Sequence, residues 1–398
     1  MKKMKVCFFL ISGGWGGAEN VVFYLAEALE KRGYDISIIL NEETYPYFNK
    51  LSSVTLYNIG PIFTIRKFLP ENFHLLLPKL MLKNKNILLG MKFVFGHLLI
   101  KLNFLKIQKK ILQRIYSIDP DIIHLHNSAI LDLCPQFLEQ ISYPIIYTSH
   151  GIDFQSKLSS IPWFRRKKRC AFRRFNKITA VSEFIEQYLI SNGITKHIDV
   201  IYNGIDIELI GNIVKEKQRL VNNEEFKLIF TGGQKKQKGG EIILQAMRLI
   251  RQQDYKIKLF YCGFVTNEFL KKNQSKDVIF TGLLPHNEYL KLLSTCNCLI
   301  LLSKTEGFPM TILEAMVLGK TIITTPVGGI PELVQNGING FFVQRSTKDF
   351  VNKIFYIYNN PKICKQISIN NLQTIKKFDW NNIITQYIEL YEKTRNYQ

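Results

Sequence analysis

Acidic side chains are in short supply here: 32 Asp and Glu stand against 53 Lys and Arg in 398 residues, a formal net charge of +21. The shortage is uneven. Between residues 61 and 114, eleven basic side chains meet one acid, Glu71, and a second basic run, "WFRRKKRCAFRRF", covers 163–175. Lys and Arg interleaved with Phe, Trp, Leu and Ile suit an anionic membrane surface. No recognised nucleic-acid motif accompanies the charge, so nucleic acid is not expected as a partner. A solvated, lysine-rich face is the plain alternative to the membrane.

Other absences narrow the class further. No uninterrupted apolar stretch reaches 18 residues, so no spanning helix is expected. The nearest, "ILLGMKFVFGHLLIKLNFLKI" (87–107), is broken by Lys92, His97, Lys101 and Lys106. The opening "MKKMKVCFFLISGGWGG" has only Val6 to Ile11 as an apolar run, too short for a signal peptide, and reads as a first buried strand. Together these point to a cytoplasmic protein, peripheral at the inner face of the membrane. Seven cysteines, scattered and odd in number, form no disulfide framework and suit a reducing cytosol. Cys296 and Cys298 make a C-x-C without a second pair at zinc spacing, which places them in the core. No G-x-G-x-x-G opens either half, against a nicotinamide dehydrogenase. No hydrolase-type Ser/His/Asp ordering, metal-ligand cluster, internal repeat or low-complexity tract is present.

What is present is alternation, in a composition of 46% hydrophobic and 21% charged residues that marks a folded chain of two domains. "KVCFFLI" (5–11) is strand-like, "GAENVVFYLAEALEKRG" (17–33) an amphipathic helix closed by glycine, and "YDISIIL" (34–40) a strand again. That is a βαβ unit, the mark of a parallel sheet. After a basic helical region at 61–116, strands are expected at "DIIHLH" (121–126), "PIIYTSH" (144–150) and "KITAVS" (177–182). A second series runs through "KLIFTGG" (227–233), "KIKLFYCG" (256–263), "DVIFTGL" (277–283), "CLILLS" (298–303), "KTIITTP" (320–326) and "GFFV" (340–343). The expected fold class is α/β with two doubly wound, Rossmann-like parallel-sheet domains, 1–204 and 205–377. A final helix, 378–398, is expected to pack back on the N-terminal domain. Ligands of such sheets bind beyond the carboxyl ends of the strands.

Four segments fall in those places. "GGWGGAEN" (13–20) follows the first strand and opens a helix, as a tight turn or a phosphate-cradling loop would. In "TGGQKKQKGGEII" (231–243), Gly232 and Gly233 let backbone approach an anion and Lys238 stands at a helix entry, where the dipole favours negative charge. "TPVGGIPELV" (325–334) repeats the device, with Pro331 as a good first helical residue. "SKTEGFPMTILEAMVLGKTI" (303–322) holds Glu306 before a Gly-Phe-Pro turn and Glu314 among Ile312, Leu313, Met316, Val317 and Leu318. A buried carboxylate needs a partner, in the protein or in a ligand.

The ordered set E-G-F-P-x-x-x-x-E-A-M (306–316), G-K-x-I-x-x-x-x-x-G-G-x-P-E (319–332) and N-G-x-N-G-F (336–341) resembles the retaining family 4 glycosyltransferases. "GGAEN" (16–20), "PDIIHLH" (120–126), "HGID" (150–153), "AVSEF" (180–184) and "NGID" (203–206) extend the likeness over nearly the whole chain. The resemblance implies the GT-B fold: two facing Rossmann-like domains with the active site in a cleft between them. It implies transfer of a sugar from a nucleotide-diphosphate-sugar donor to a glycan acceptor, without cofactor or metal. Glu314 would hold the ribose hydroxyls, Glu306 the hydroxyls of the donor sugar, and Lys238 the pyrophosphate. Backbone amides from Gly307 through Phe308 and Pro309 to Met310 would contact sugar or phosphates. His150 would lie beside the sugar, and Gly16 and Gly17 would let the first loop approach donor and acceptor. By this likeness Glu314 has a ligand diol as its partner.

One position departs from the family pattern. Where an Arg usually stands five residues before the pyrophosphate Lys, this chain has Gly233, leaving Lys235 or Lys236 to supply charge without a bidentate clamp. Asp119 and Asp121 form a D-x-D interrupted by Pro120 and read as structural rather than metal-binding. His124 and His126 are taken to point to opposite sides of their strand. The basic, aromatic-rich faces suggest a lipid-linked oligosaccharide acceptor, as in capsule, O-antigen or exopolysaccharide assembly. The rivals are a nucleotide-sugar 2-epimerase of the same fold, disfavoured by the spacing of Glu306 and Glu314, and a non-catalytic nucleotide-binding scaffold, motivated by Gly233.

Overall fold

The computed structural model describes residues 3–12, 16–61, 107–126, 131, 135–154, 162–215, 225–253 and 255–395, the side chains of Pro135, Gln136, Trp163 and Phe164 excepted. Most of the basic region expected to be helical, 62–106, lies outside these residues; 107–118 is helix. Two compact units account for the chain. The first comprises Met1–Val181, Glu186–Val200 and Gln386–Gln398, the second Ser182–Ile185 and Ile201–Thr385.

In the first unit the apolar runs form one parallel sheet. Its strands are β1 (Lys5–Leu10), β2 (Asp35–Leu40), β3 (Thr55–Asn58), β4 (Ile122–His126), β5 (Ile145–Ser149), β6 (Lys177–Ala180) and β7 (Ile198–Val200). They lie in the order β3-β2-β1-β4-β5-β6-β7, every pair parallel. The central strands β1, β4 and β5 are buried almost end to end, as expected where both faces of a parallel sheet are covered. The helix Gly17–Lys31 supplies part of that cover, burying Val21, Val22, Leu25 and Leu29 along one stripe. The chain runs outward from β1 to β3 and then returns to the far side of β1 at β4. That reversal leaves a crevice beyond the carboxyl ends of β1 and β4.

The second unit repeats the plan with β8 (Phe226–Thr231), β9 (Ile257–Cys262), β10 (Val278–Gly282), β11 (Cys298–Leu301), β12 (Thr321–Thr324) and β13 (Phe341–Phe342). Their order is β10-β9-β8-β11-β12-β13, again all parallel. Phe230, Leu259, Ile300, Ile323, Phe350 and Ile354 belong to its core. Here the order reverses between β8 and β11. The loops after those two strands are where a ligand of this sheet should bind, and they carry Lys238 and Glu306.

Every strand expected from the sequence is found. The two additional strands, β3 and β7, form the outer edges of the first sheet. β3 is half-exposed, and β7 has a single buried residue. Short, partly polar edges carry little of the hydrophobic pattern from which strands are read.

Candidate active site

The loop after β8 is shaped by close backbone approaches. Gly232 and Gly233 both donate to the carbonyl of Cys262, at 3.2 and 3.0 Å, and Tyr261 Oη donates to the Gly233 carbonyl at 2.7 Å. Gly232 packs against the Lys238 stem: a Cβ there would lie 2.7 Å from Lys238 Cβ. A short 3-10 turn, Lys236–Lys238, leads through Gly239 into the helix Gly240–Ile250. Lys235 and Lys236 are exposed on this turn. It is latched from outside by Lys304 N–H on the Gln237 carbonyl at 2.8 Å. Arg345 also spans the loops, donating from Nε to the Leu302 carbonyl at 3.0 Å and from Nη2 to the Lys236 carbonyl at 2.5 Å. Nothing in the sequence singles out Arg345, because its partners are backbone atoms far away in the chain.

The loop after β11 brings Glu306 to the same place. Lys238 Nζ and Glu306 Oε1 are 2.6 Å apart although 68 residues separate them in sequence. Ser303 Oγ donates to the same carboxylate oxygen at 2.5 Å. Behind the loop, Gly329 N–H donates to the Glu306 carbonyl at 3.2 Å. Gly307 and Phe308 are pinned through their carbonyls by Ser182 Oγ at 3.1 Å and Asn203 Nδ2 at 2.9 Å. Pro309 then caps the helix Met310–Val317, with Phe308 and Met310 buried. The first-turn N–H groups of Met310 and Thr311 have no partner among the described residues, the ordinary condition of a helix start that can receive an anion.

Glu314 is 3% exposed on that helix. Its partner is in the protein: His286 Nε2 lies 2.8 Å from Glu314 Oε1. His286 is the first residue of the helix His286–Thr295, just beyond the carboxyl end of β10. Burial pushes its imidazole pKa down, but the hydrogen bond and charge of Glu314 outweigh that and raise it. The family resemblance implies a ligand diol for Glu314, and the sequence passes over His286. The available signal was its place shortly after a strand end.

In the first unit, His124 and His126 of β4 point to the same side, with ring centroids 4.0 Å apart. This corrects the expectation that they diverge: residues two apart on a strand share a face. His124 is fully engaged, Nδ1 with Tyr391 Oη at 2.7 Å and Nε2 with Thr148 Oγ1 at 2.6 Å. His126 Nδ1 meets His150 Nε2 at 2.9 Å, while His126 Nε2 and His150 Nδ1 are buried without a hydrogen-bond partner among the described residues. Burial lowers the pKa of all three rings, that of His150 to about 4 and the other two well below the ordinary value. At neutral pH the rings are uncharged. Each of His126 and His150 then carries one ring proton. In either arrangement of the shared hydrogen bond, one of the two open nitrogens donates and the other accepts. Gly16 stands at the N-cap of the helix that Gly17 begins; residues 13–15 of this loop lie outside the described residues.

Comparison with known proteins gives the family. Residues 15–209 match the model of Glycosyltransferase Family 4, and residues 213–374 that of Glycosyl transferases group 1. An uncharacterized glycosyltransferase of Methanocaldococcus jannaschii is 30% identical over 298 residues, 73% of this chain and 80% of that protein. The chain belongs to glycosyltransferase family 4. This glycosyltransferase is also 26% identical over 267 residues to a capsular polysaccharide biosynthesis glycosyltransferase of Staphylococcus aureus, across 61% of this chain and 68% of that one. Anabaena HepE, solved with UDP and glucose, shares the fold at a TM-score of 0.75 and 20% identity, over 98% of this chain and 99% of that one. The two parallel-sheet units are those of the GT-B fold.

The glycosyltransferase departs from the family pattern at Gly233 for a local reason. Its φ is +52°, and a Cβ would sit 2.4 Å from the Phe264 carbonyl oxygen. No arginine fits on this backbone, so any further positive charge at the loop comes from neighbouring side chains. The D-x-D is spent on structure. Asp119 Oδ1 accepts from Tyr143 Oη at 3.1 Å, and Asp121 Oδ2 accepts the Lys5 N–H at 2.7 Å. The basic run at 163–175 divides by face: Arg165, Arg166, Arg169 and Arg173 are exposed, while Phe172 and Phe175 pack with Tyr147 in the core. Among the described residues no helix is long and apolar enough to cross a membrane.

Proposed function

We propose that this glycosyltransferase transfers a sugar from a nucleotide-diphosphate donor to a glycan hydroxyl with retention of anomeric configuration. The observation that carries the reading is the Lys238–Glu306 pair at 2.6 Å, built from the loops after β8 and β11 where the sheet order reverses. Lys238, with the N–H groups at the start of the helix Met310–Val317 that have no partner among the described residues, offers positive charge to a departing diphosphate. Stabilising that leaving group is the main burden of the reaction, and these groups meet it without a metal. In this reading a pyrophosphate takes over the Lys238 ammonium, releasing Glu306 to accept hydroxyls of the donor sugar. Glu314 grips the ribose, amides along Gly307 to Met310 meet sugar or phosphate, and His150 lies beside the sugar. Gly16 and Gly17 let the first loop approach donor and acceptor, and Lys235 adds charge near the diphosphate.

The acceptor assigned is a lipid-linked oligosaccharide of capsule, O-antigen or exopolysaccharide synthesis, reached at an anionic membrane surface. The capsular relative and the exposed arginines of the 163–175 run support it. Thermal melting against UDP, GDP, ADP and their sugar conjugates is the first test. A ligand bound only by the folded state at a hundredfold excess over its Kd adds about 2.7 kcal/mol of stability. With the donor found, Glu306→Gln and Lys238→Ala should each lower transfer by at least about a hundredfold, as losing one preorganised charge-stabilising contact does, with melting unchanged. Full transfer by either variant sinks the assignment.

A further inference from the structure

We infer that His286 is a positioning residue, one that aims the Glu314 carboxylate at a ribose diol and so sets a preference for ribonucleotides over 2′-deoxyribonucleotides. This rests on the nucleotide reading of Glu314 above and adds a residue that neither family pattern nor sequence spacing brings forward. Glu314 sits on a helix whose Ile312, Leu313 and Met316 are wholly buried, and its own side chain is 4% exposed against 24% for His286. A carboxylate in such surroundings is costly unless hydrogen-bonded. Left unheld, it could also rotate about its last side-chain bond, a soft torsion for a glutamate. The 2.8 Å contact from His286 to Oε1 restrains that rotation, with the buried Tyr289 of the same helix also close enough to feel the Glu314 charge.

Both partners stand on helices, at the start of His286–Thr295 and within Met310–Val317, so neither depends on a loop to hold its place. A single imidazole N–H holds the carboxylate while leaving it acceptor capacity. A guanidinium in the same place could occupy both oxygens at once. The geometry is that of a supporting residue behind a ligand group. Its loss should be felt only by ligands that use that group.

Calorimetric titration of the full chain with UDP, GDP and ADP, and with dUDP, dGDP and dADP, tests this. The wild type should prefer one ribonucleotide to its deoxy counterpart by about tenfold or more, as expected for a hydrogen bond to a charged group. His286→Ala should lose about tenfold in affinity for that ribonucleotide while its affinity for the deoxy form changes by less than about twofold. His286→Gln, which can place an amide N–H near the position of Nε2, should recover most of the preference. Equal losses for ribo and deoxy forms in His286→Ala would show a packing role and overturn the inference, as would undiminished discrimination. A wild type that binds no ribonucleoside diphosphate overturns the nucleotide reading itself, and the inference with it. Binding without any wild-type ribose preference overturns the inference alone.

Discussion

His150 is uncharged at neutral pH because burial disfavours its cation, and the same holds for His124 and His126. The consequence for stability has a definite sign. In the unfolded chain these rings protonate near the ordinary value of 6.5, whereas folded His150 resists protonation until about pH 4. Between those values the unfolded state binds more protons, so stability falls as pH drops through that window. His286 acts in the opposite direction: its raised pKa stabilises the fold fully below 6.5 and the contribution fades as pH rises past the folded value. Melting temperature followed from pH 7.5 to 4 should therefore decline toward acid, and His150→Gln should shallow that decline. An unchanged slope in the variant would mean that His150 takes up its proton in the fold at the same pH as in the unfolded chain. The sequence shows the histidines but not their state. Their neutrality arises from burial, under neighbours that the fold brings in from distant segments, such as Tyr391 and Thr148 against His124.

At the scale of elements, the strands that flank each order reversal hold the site loops, and these strands are the legible part of the molecule. Largely apolar runs mark them, and Gly232, Gly233, Lys238 and Glu306 follow shortly after the runs end. What the sequence hides is contact between loops. Gly233 looks like a lost arginine until the Phe264 carbonyl is seen beside it, and Gly329 looks like a turn until its neighbours are known. A Cβ on Gly329 would lie 2.1 Å from the Gly307 carbonyl oxygen and 3.0 Å from Ser182. Gly329→Ala should push the Glu306 loop away and destabilise the fold by about 1–3 kcal/mol, the usual range for overpacking. Gly211→Ala is the matched control. Gly211 lies inside the helix Ile207–Lys215 with nothing within 4 Å of an added Cβ, and alanine there should stabilise by up to about 1 kcal/mol. Urea denaturation of both variants separates the cases: two stabilised proteins, or two destabilised ones, would contradict this account of the loop.

For the whole molecule the unbalanced quantity is charge. A net +21 destabilises a compact chain by self-repulsion, and an anionic surface would offset it. The exposed arginines at 166, 169 and 173 recur along one side of the helix Pro162–Phe172 and the residue just beyond it. They border a cavity of about 340 Å³ together with Lys196. Among the described residues no acid lines that cavity, and Lys196 has its pKa lowered by burial and by Arg174. With Phe172 and Phe175 in the core, the proposed attraction of this run to a membrane would rest, among the described side chains, on Coulomb forces rather than on inserted rings. Such attraction is worth roughly 1 kcal/mol per basic residue at an anionic bilayer, so replacing Arg166, Arg169 and Arg173 together by Gln should weaken binding to phosphatidylglycerol vesicles about a hundredfold. Salt should do the same to the wild type, since the screening length shrinks to about 3 Å at 1 M. Vesicle flotation at low and high salt, with neutral phosphatidylcholine vesicles alongside, distinguishes the cases. Equal binding to neutral and anionic vesicles, unaffected by salt or by the triple substitution, would mean that the charge serves solvation and the acceptor is met elsewhere.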